Sequence, residues 1–231
     1  LEGTVSEQTG DLEVAHKKLQ ETYLETVTSL VEAINAKDKY LFGHSHNVAR
    51  FARLIATEMT FSKSQMERLV HGCELHDLGK IAIPDSVLSK PGPLTDEEYE
   101  IIKQHPGWGA RILEPLTFMK DIMEMVHQEH ERFDGSGYPR ALKGEKIRLE
   151  ARIIAVADAL DAMVSDRPYR KRMPLETAMK EIKRCSGTQF DPQVVTAALK
   201  AYEKGTLSVK TTIPPKLGIP KLPSSSPKAA S

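Results

Sequence analysis

The feature that most limits what this chain can fold into is a succession of apolar segments at helical spacing, with almost no strand-like alternation between them. "SHNVARFARLIATEM" places Val48, Phe51, Ala52, Leu54 and Ile55 on one helical stripe. "SKSQMERLVHGCEL" follows, with Ser62 as a candidate N-cap. "LTDEEYEIIKQHPGWGARIL" opens at Thr95 and carries acids in its first turn, as a helix start should. "KDIMEMVHQEH", "RLEARIIAVADALDAMVSD", "PLETAMKEIKRC" and "DPQVVTAALKAYEKG" continue the pattern, and only "LSVKTTI" reads weakly as a strand. The expected fold class is all-α.

Ahead of these segments, residues 1–10 are polar and should fray, and Asp11 to about Lys37 reads as one helix without proline or glycine. Its apolar positions, Leu12, Leu19, Tyr23, Thr26 and Leu30, are loosely heptad-spaced. Two readings stand: a surface helix, or a parallel signalling helix that pairs two chains. The expected domains are a linker or signalling helix over 1–37, a helical domain over 38–205 and a flexible tail over 206–231. From Ile213 that tail is rich in Pro, Ser and Lys and should be disordered.

Lysine plus arginine and aspartate plus glutamate balance at 32 each, which argues against a domain that grips polymeric nucleic acid by counterion release. No apolar run approaches the about 20 residues of a membrane span, and no signal peptide opens the chain. The two cysteines, Cys73 and Cys185, lack any paired-ligand spacing and read as small core residues of a protein in a reducing, cytoplasmic setting. The chain opens on Leu1 instead of methionine, which leaves room for an upstream membrane anchor, sensor or receiver domain.

Against this background, His44, His76, Asp77, His105, Glu129, His130 and Asp158 stand where their segments should be apolar. Burying an unpaired carboxylate costs many kcal/mol, so the His76-Asp77 pair inside "ELHDLGKIAIP" needs water or a cation. Facing helices of a bundle can converge several such ligands on metal ions. Imidazoles suit Fe, Mn, Ni, Co or Zn, and an aspartate can bridge two ions. His16, His46, His71 and His127 have no partner argument and read as surface or structural residues.

"GHSHNVARFA", "LHDLGKIAIPDSVLSKPGPLT", "HPGWGARIL", "HERFDGSGYPRALKGEKI" and "RIIAVADALDAMVSDRPYR" together resemble the HD-GYP family of the HD phosphohydrolase superfamily, from about residue 22 to 204. The resemblance implies an HD-type helical bundle that hydrolyses cyclic di-GMP or a related cyclic dinucleotide with two divalent transition-metal ions, Fe or Mn first. It implies His44, His76, Asp77 and Asp158 as core ligands, with Asp77 bridging, and His105 and His130 completing a second site. Lys80 then faces a phosphate, Tyr138 is the tyrosine of "GYP", and Arg167 and Arg170 match basic positions near the substrate. Lys171 and Arg172 read as surface.

Two departures bear on the metals. Many family members read His-His-Glu where this chain has Glu129-His130-Glu131, so Glu129 is either a carboxylate ligand or a solvent-facing side chain beside a weakened second site. Tyr40 stands where some members carry a glutamate tied to a third ion, so two ions are expected.

The expected chemistry is attack on phosphorus by a hydroxide held between the ions, with Lys80 stabilising the added negative charge. Asp161 is either a leaving-group acid or an orienting partner for a ligand histidine. The product the resemblance implies is linear pGpG, with GMP from a second cleavage. The alternatives are hydrolysis of a mixed cyclic dinucleotide, or a sensing module of little or no activity. A homodimer through the first helix fits each of these.

Overall fold

The structure, a computed structural model, describes residues 2–35, 43–166 and 171–208. Among them there is no strand, and the long elements are helices: α1 (Glu2–Asn35), α2 (His44–Thr57), α3 (Lys63–Leu75), α8 (Leu149–Val164), α9 (Leu175–Arg184) and α10 (Pro192–Glu203). Between α3 and α8 lie the short helices α4 (Asp85–Leu88), α5 (Asp96–Ile102), α6 (His105–Leu113) and α7 (Lys120–Gln128). A 3₁₀ turn, Leu78–Ala82, links α3 to α4.

Start signals behave as local chemistry dictates. Ser62 accepts from the Gln65 amide while the Gln65 side chain accepts from the Ser62 amide, a reciprocal cap on α3. Thr95 and Glu98 repeat the device on α5, and Asp191 caps α10 ahead of Pro192.

Two apolar clusters hold the bundle. The larger joins α2, α3, α8, α9 and α10 through Phe51, Ile55, Leu69, Ile153, Leu160, Ile182 and Val194, with Cys73 inside it and Cys185 at its margin. The smaller one joins Val31 of α1 to Leu75, Leu78, Leu113, Met119, Ile122 and Val126. The site lies between them.

Several expectations are revised. Residues 2–10 continue α1 as regular helix instead of fraying. Leu24, Val27 and Val31 dock α1 onto the smaller cluster, so the end of this helix is part of the packed body. Leu207 is buried in the larger cluster and the Ser208 carbonyl accepts from Arg50, so packing continues past residue 206. The segment opening at Thr95 is two helices. Pro106 has no N–H to give the Ile102 carbonyl four residues back, which breaks the ladder there. Residues 36–42, with Tyr40, lie outside the described residues, as do Arg167, Arg170 and the tail from 209.

Candidate metal centre

Helix ends deliver most of the polar side chains. His44 opens α2, His76 ends α3, His105 opens α6, and Glu129 follows the last turn of α7, with His130 next to it. Asp158 comes from within α8. Asp77 and Lys80 sit on the 3₁₀ turn, which lies flush against the start of α6 because Gly79 has no side chain. A Cβ on Gly79 would stand 1.8 Å from the His105 carbonyl oxygen and 2.5 Å from the Gly109 nitrogen.

Three imidazoles are held so that one particular nitrogen faces the site. The His76 Nδ1 donates to the Cys73 carbonyl at 2.6 Å and the His105 Nδ1 to the Ile102 carbonyl at 2.7 Å. A carbonyl only accepts, so Nδ1 carries the proton and Nε2 is the nitrogen left to face the site. Ile102 is the carbonyl that Pro106 leaves open. The His44 Nδ1 lies 2.6 Å from Asp161 Oδ2, and the other oxygen of Asp161 accepts from the Ser165 hydroxyl at 3.0 Å. Asp161 is buried behind His44 and does not line the cavity, so of its two expected roles the geometry favours the orienting one.

Asp77 is the centre of the arrangement. Its Oδ2 lies 3.9 Å from His44 Nε2, 3.6 Å from His76 Nε2 and 2.7 Å from Lys80 Nζ, while its Oδ1 lies 3.8 Å from His105 Nε2. One carboxylate thus turns an oxygen toward each of two ligand groups, His44–His76–Asp77 and His105–Glu129–His130, in each of which the donor atoms lie within 4.8 Å of one another. Asp158 Oδ1 is 3.2 Å from His44 Nε2. Glu129 is only 3% exposed, which overturns its solvent-facing reading, and its oxygens stand 3.9 Å from His76 Nε2 and 3.3 Å from His105 Nε2.

The donor set fits a cation. Both carboxylate oxygens of Glu129 and the His105 Nε2 are buried without a hydrogen-bond partner among the described residues, which is costly unless a ligand satisfies them. Electrostatics agree. Burial would push Asp77 up, yet Lys80, His76 and His44 hold it well below the usual carboxylate range, so it stays ionised. Burial, reinforced by Asp77 and Asp158, raises Glu129 well above that range, a strain that a positive ion would relieve. Burial also lowers His105, and it takes His130, beside His105, down to about 3, so both are neutral rings at pH 7. Burial opposes a charge on His44, but the carboxylates of Asp158 and Asp161 outweigh it and lift His44 to about 10. An ion at Nε2 would displace that proton.

The cavity beside these groups holds about 380 Å³, within the range of small-ligand sites. Lys80 and Tyr138 line it. The Tyr138 ring stacks on His130 at 4.9 Å and 27°, on a loop brought close by Gly137, where a Cβ would stand 2.2 Å from the Arg132 nitrogen. Two contributors were not legible beforehand. Buried Glu131 accepts from the Arg140 and Leu142 amides at 2.7 and 2.9 Å, and the Gln128 side-chain Oε1 accepts from the Arg148 amide at 2.7 Å. Both pin the "DGSGYP" loop and the approach to α8 from the ends of α7. No local signal marks them, because their partners lie nine to twenty residues on. His46 is exposed, and His71 pairs with Glu74 away from the cavity. Lys171 and Arg172 are exposed.

Fold and site together define a class: an all-helical bundle with a buried imidazole–carboxylate centre suited to divalent metals. The HD domain model matches residues 28–194, and the chain belongs to the HD domain family. Among curated relatives, a cyclic di-GMP phosphodiesterase of Thermotoga maritima is 42% identical over 192 residues, covering 80% of this chain and 52% of its own length. A 3'3'-cGAMP-specific phosphodiesterase of Vibrio cholerae is 37% identical over 188 residues, covering 81% of this chain and 41% of its own. The chain therefore spans about half the length of the curated relatives it matches. A crystal structure of a cyclic GMP-AMP-specific phosphodiesterase from V. cholerae shares the fold at a TM-score of 0.61 and 22% identity, covering 79% of this chain and 49% of that one. The HD domain of the L. monocytogenes phosphodiesterase PgpH, in complex with cyclic di-AMP, does so at 0.55 and 19%, covering 79% and 98%.

Proposed function

We propose that the chain is a metal-dependent phosphodiesterase that opens cyclic di-GMP to linear pGpG, and onward to GMP where the product re-enters. The observation that carries this reading is the pair of Asp77 oxygens, each turned to a separate buried ligand group. Two divalent transition-metal ions, Fe or Mn ahead of Ni, Zn or Co, fit this mixture of imidazoles and carboxylates. His44, His76 and Asp158 would hold one, His105, Glu129 and His130 the other, and Asp77 both. When bound, such ions neutralise phosphate charge and acidify the attacking water.

The chain's own residues do the rest. Lys80 is held at Asp77, whose charge, working against burial, keeps the ammonium protonated at the cavity wall, where it stabilises negative charge growing on a phosphoryl oxygen. Asp161 fixes the proton of His44 on Nδ1. Tyr138 offers its ring to the substrate, and Arg167 and Arg170 are assigned to its phosphates from the sequence pattern. The relatives named above, which act on cyclic di-GMP and on 3'3'-cGAMP, support a cyclic dinucleotide. The sensing alternative draws on the substitution of Glu129 for an imidazole, and the burial of that carboxylate among the candidate ligands supports a metal-holding role in its place.

The exposed stripe of Leu12, Leu19, Tyr23, Thr26 and Leu30 on α1 supports a parallel homodimer, which could carry a signal from an upstream sensor or receiver domain. No described helix is long and apolar enough to cross a membrane.

Elemental analysis of protein purified without added metal or chelator tests the centre, with two ions per chain as the expected result. Asp77→Ala should lose metal and reduce hydrolysis of cyclic di-GMP at least about a thousandfold. Retention of both would overturn the assignment.

A further inference from the structure

The metal chemistry uses only the polar part of the cavity lining. The rest of its lining is differently made: Tyr99, Ile102 and Tyr138, with Ala155 and Ala159, which share a face of α8 with Asp158. Hydrolysis at phosphorus asks for none of these apolar surfaces. A cyclic dinucleotide, however, brings two flat purines along with its phosphates.

Tyr99 is 49% exposed, and a single exposed tyrosine on a short helix would ordinarily need no explanation. This one is built into a series. The His105 and His130 rings meet edge to face at 5.0 Å, and Tyr138 stacks on His130. The Lys103 Nζ then lies 5.7 Å from the Tyr138 ring centre and 5.6 Å from that of Tyr99. The ammonium ties the two tyrosines together and extends the aromatic surface outward from the metal ligands. Lys103 is also held by Glu100 at 2.5 Å, so its charge is already paired and it is poorly placed to bind phosphate. Helix α5 beneath them is anchored by the Thr95–Glu98 cap and by Lys90, which donates to Glu98 at 2.6 Å. A platform fixed before the ligand arrives loses little entropy on binding.

We infer that Tyr99, oriented by Lys103 against Tyr138, is a substrate-positioning residue that stacks on one purine of the dinucleotide. The inference rests on the cyclic-dinucleotide reading above and adds a base subsite to it. Base–aromatic stacking tolerates any purine, so the platform supplies affinity more than discrimination between guanine and adenine.

The test is equilibrium binding of the bis-phosphorothioate analogue of cyclic di-GMP to metal-loaded protein, with steady-state kinetics on cyclic di-GMP beside it. Tyr99→Ala should weaken binding about tenfold, with the loss in KM instead of kcat, and Tyr99→Phe and Tyr99→Trp should restore it. Lys103→Met, which frees the ring without removing it, should weaken binding by a smaller factor. Binding by Tyr99→Ala within twofold of wild type, or equal losses in all four variants, would overturn the inference. The hydrolase reading fails separately: wild-type protein that binds the analogue but does not cleave cyclic di-GMP defeats that reading and leaves the stacking comparison decisive.

Discussion

Asp161 is proposed to act on the site through His44 alone. It is buried, its Oδ2 lies 2.6 Å from His44 Nδ1, and Ser165 holds its other oxygen. Asp161→Asn preserves the shape but can turn its amide N–H toward His44, which favours the wrong tautomer. Metal affinity should fall about 10- to 100-fold, read by titration of metal-free protein with Mn²⁺, while the thermal midpoint of the metal-free protein moves little. A collapse of that midpoint would mark Asp161 as structural support only. Glu129 makes a complementary point: the fold buries its carboxylate against His76 and His105, which is the basis for proposing it as a hard ligand.

Among elements, the 3₁₀ turn that carries Asp77 and Lys80 has the least tolerance. Its contact with α6 passes through Gly79 and Gly109, backbone against backbone, where no flexible side chain can give way. Gly79→Ala should cost about 3 kcal/mol in urea unfolding and lower metal occupancy with it, because the turn must retreat from His105. The break between α5 and α6 has a related use. One proline ends a ladder, and the carbonyl it frees orients His105, so the "HP" pair is at once a helix boundary and a device that fixes the ring of a candidate ligand.

For the molecule as a whole, α1 divides into two parts. Its final turns bury Val31 under the smaller core cluster, whereas Leu12 and Leu19 are 70% and 52% exposed. Sedimentation velocity should find wild-type protein dimeric and Leu12→Lys/Leu19→Lys monomeric, with the chain still folded. Wild type that sediments as a monomer at tens of micromolar would sink the pairing.

Helix type, helix starts at Ser62 and Thr95, and the candidacy of His44, His76, Asp77, His105, Glu129, His130 and Asp158 were readable along the chain. Periodicity and caps are short-range effects, and a titratable group in an apolar stripe is conspicuous wherever it points. The chain did not disclose that Asp77 would direct its oxygens to two different ligand groups, that Glu129 would be buried, or that Glu131 and Gln128 would bind amides nine to twenty residues on. Nor did it separate the two possible roles of Asp161 or mark Tyr99 as part of the cavity wall. Those outcomes depend on how helices distant in sequence pack, and a carboxylate costs or contributes according to what that packing brings within a few ångströms of it.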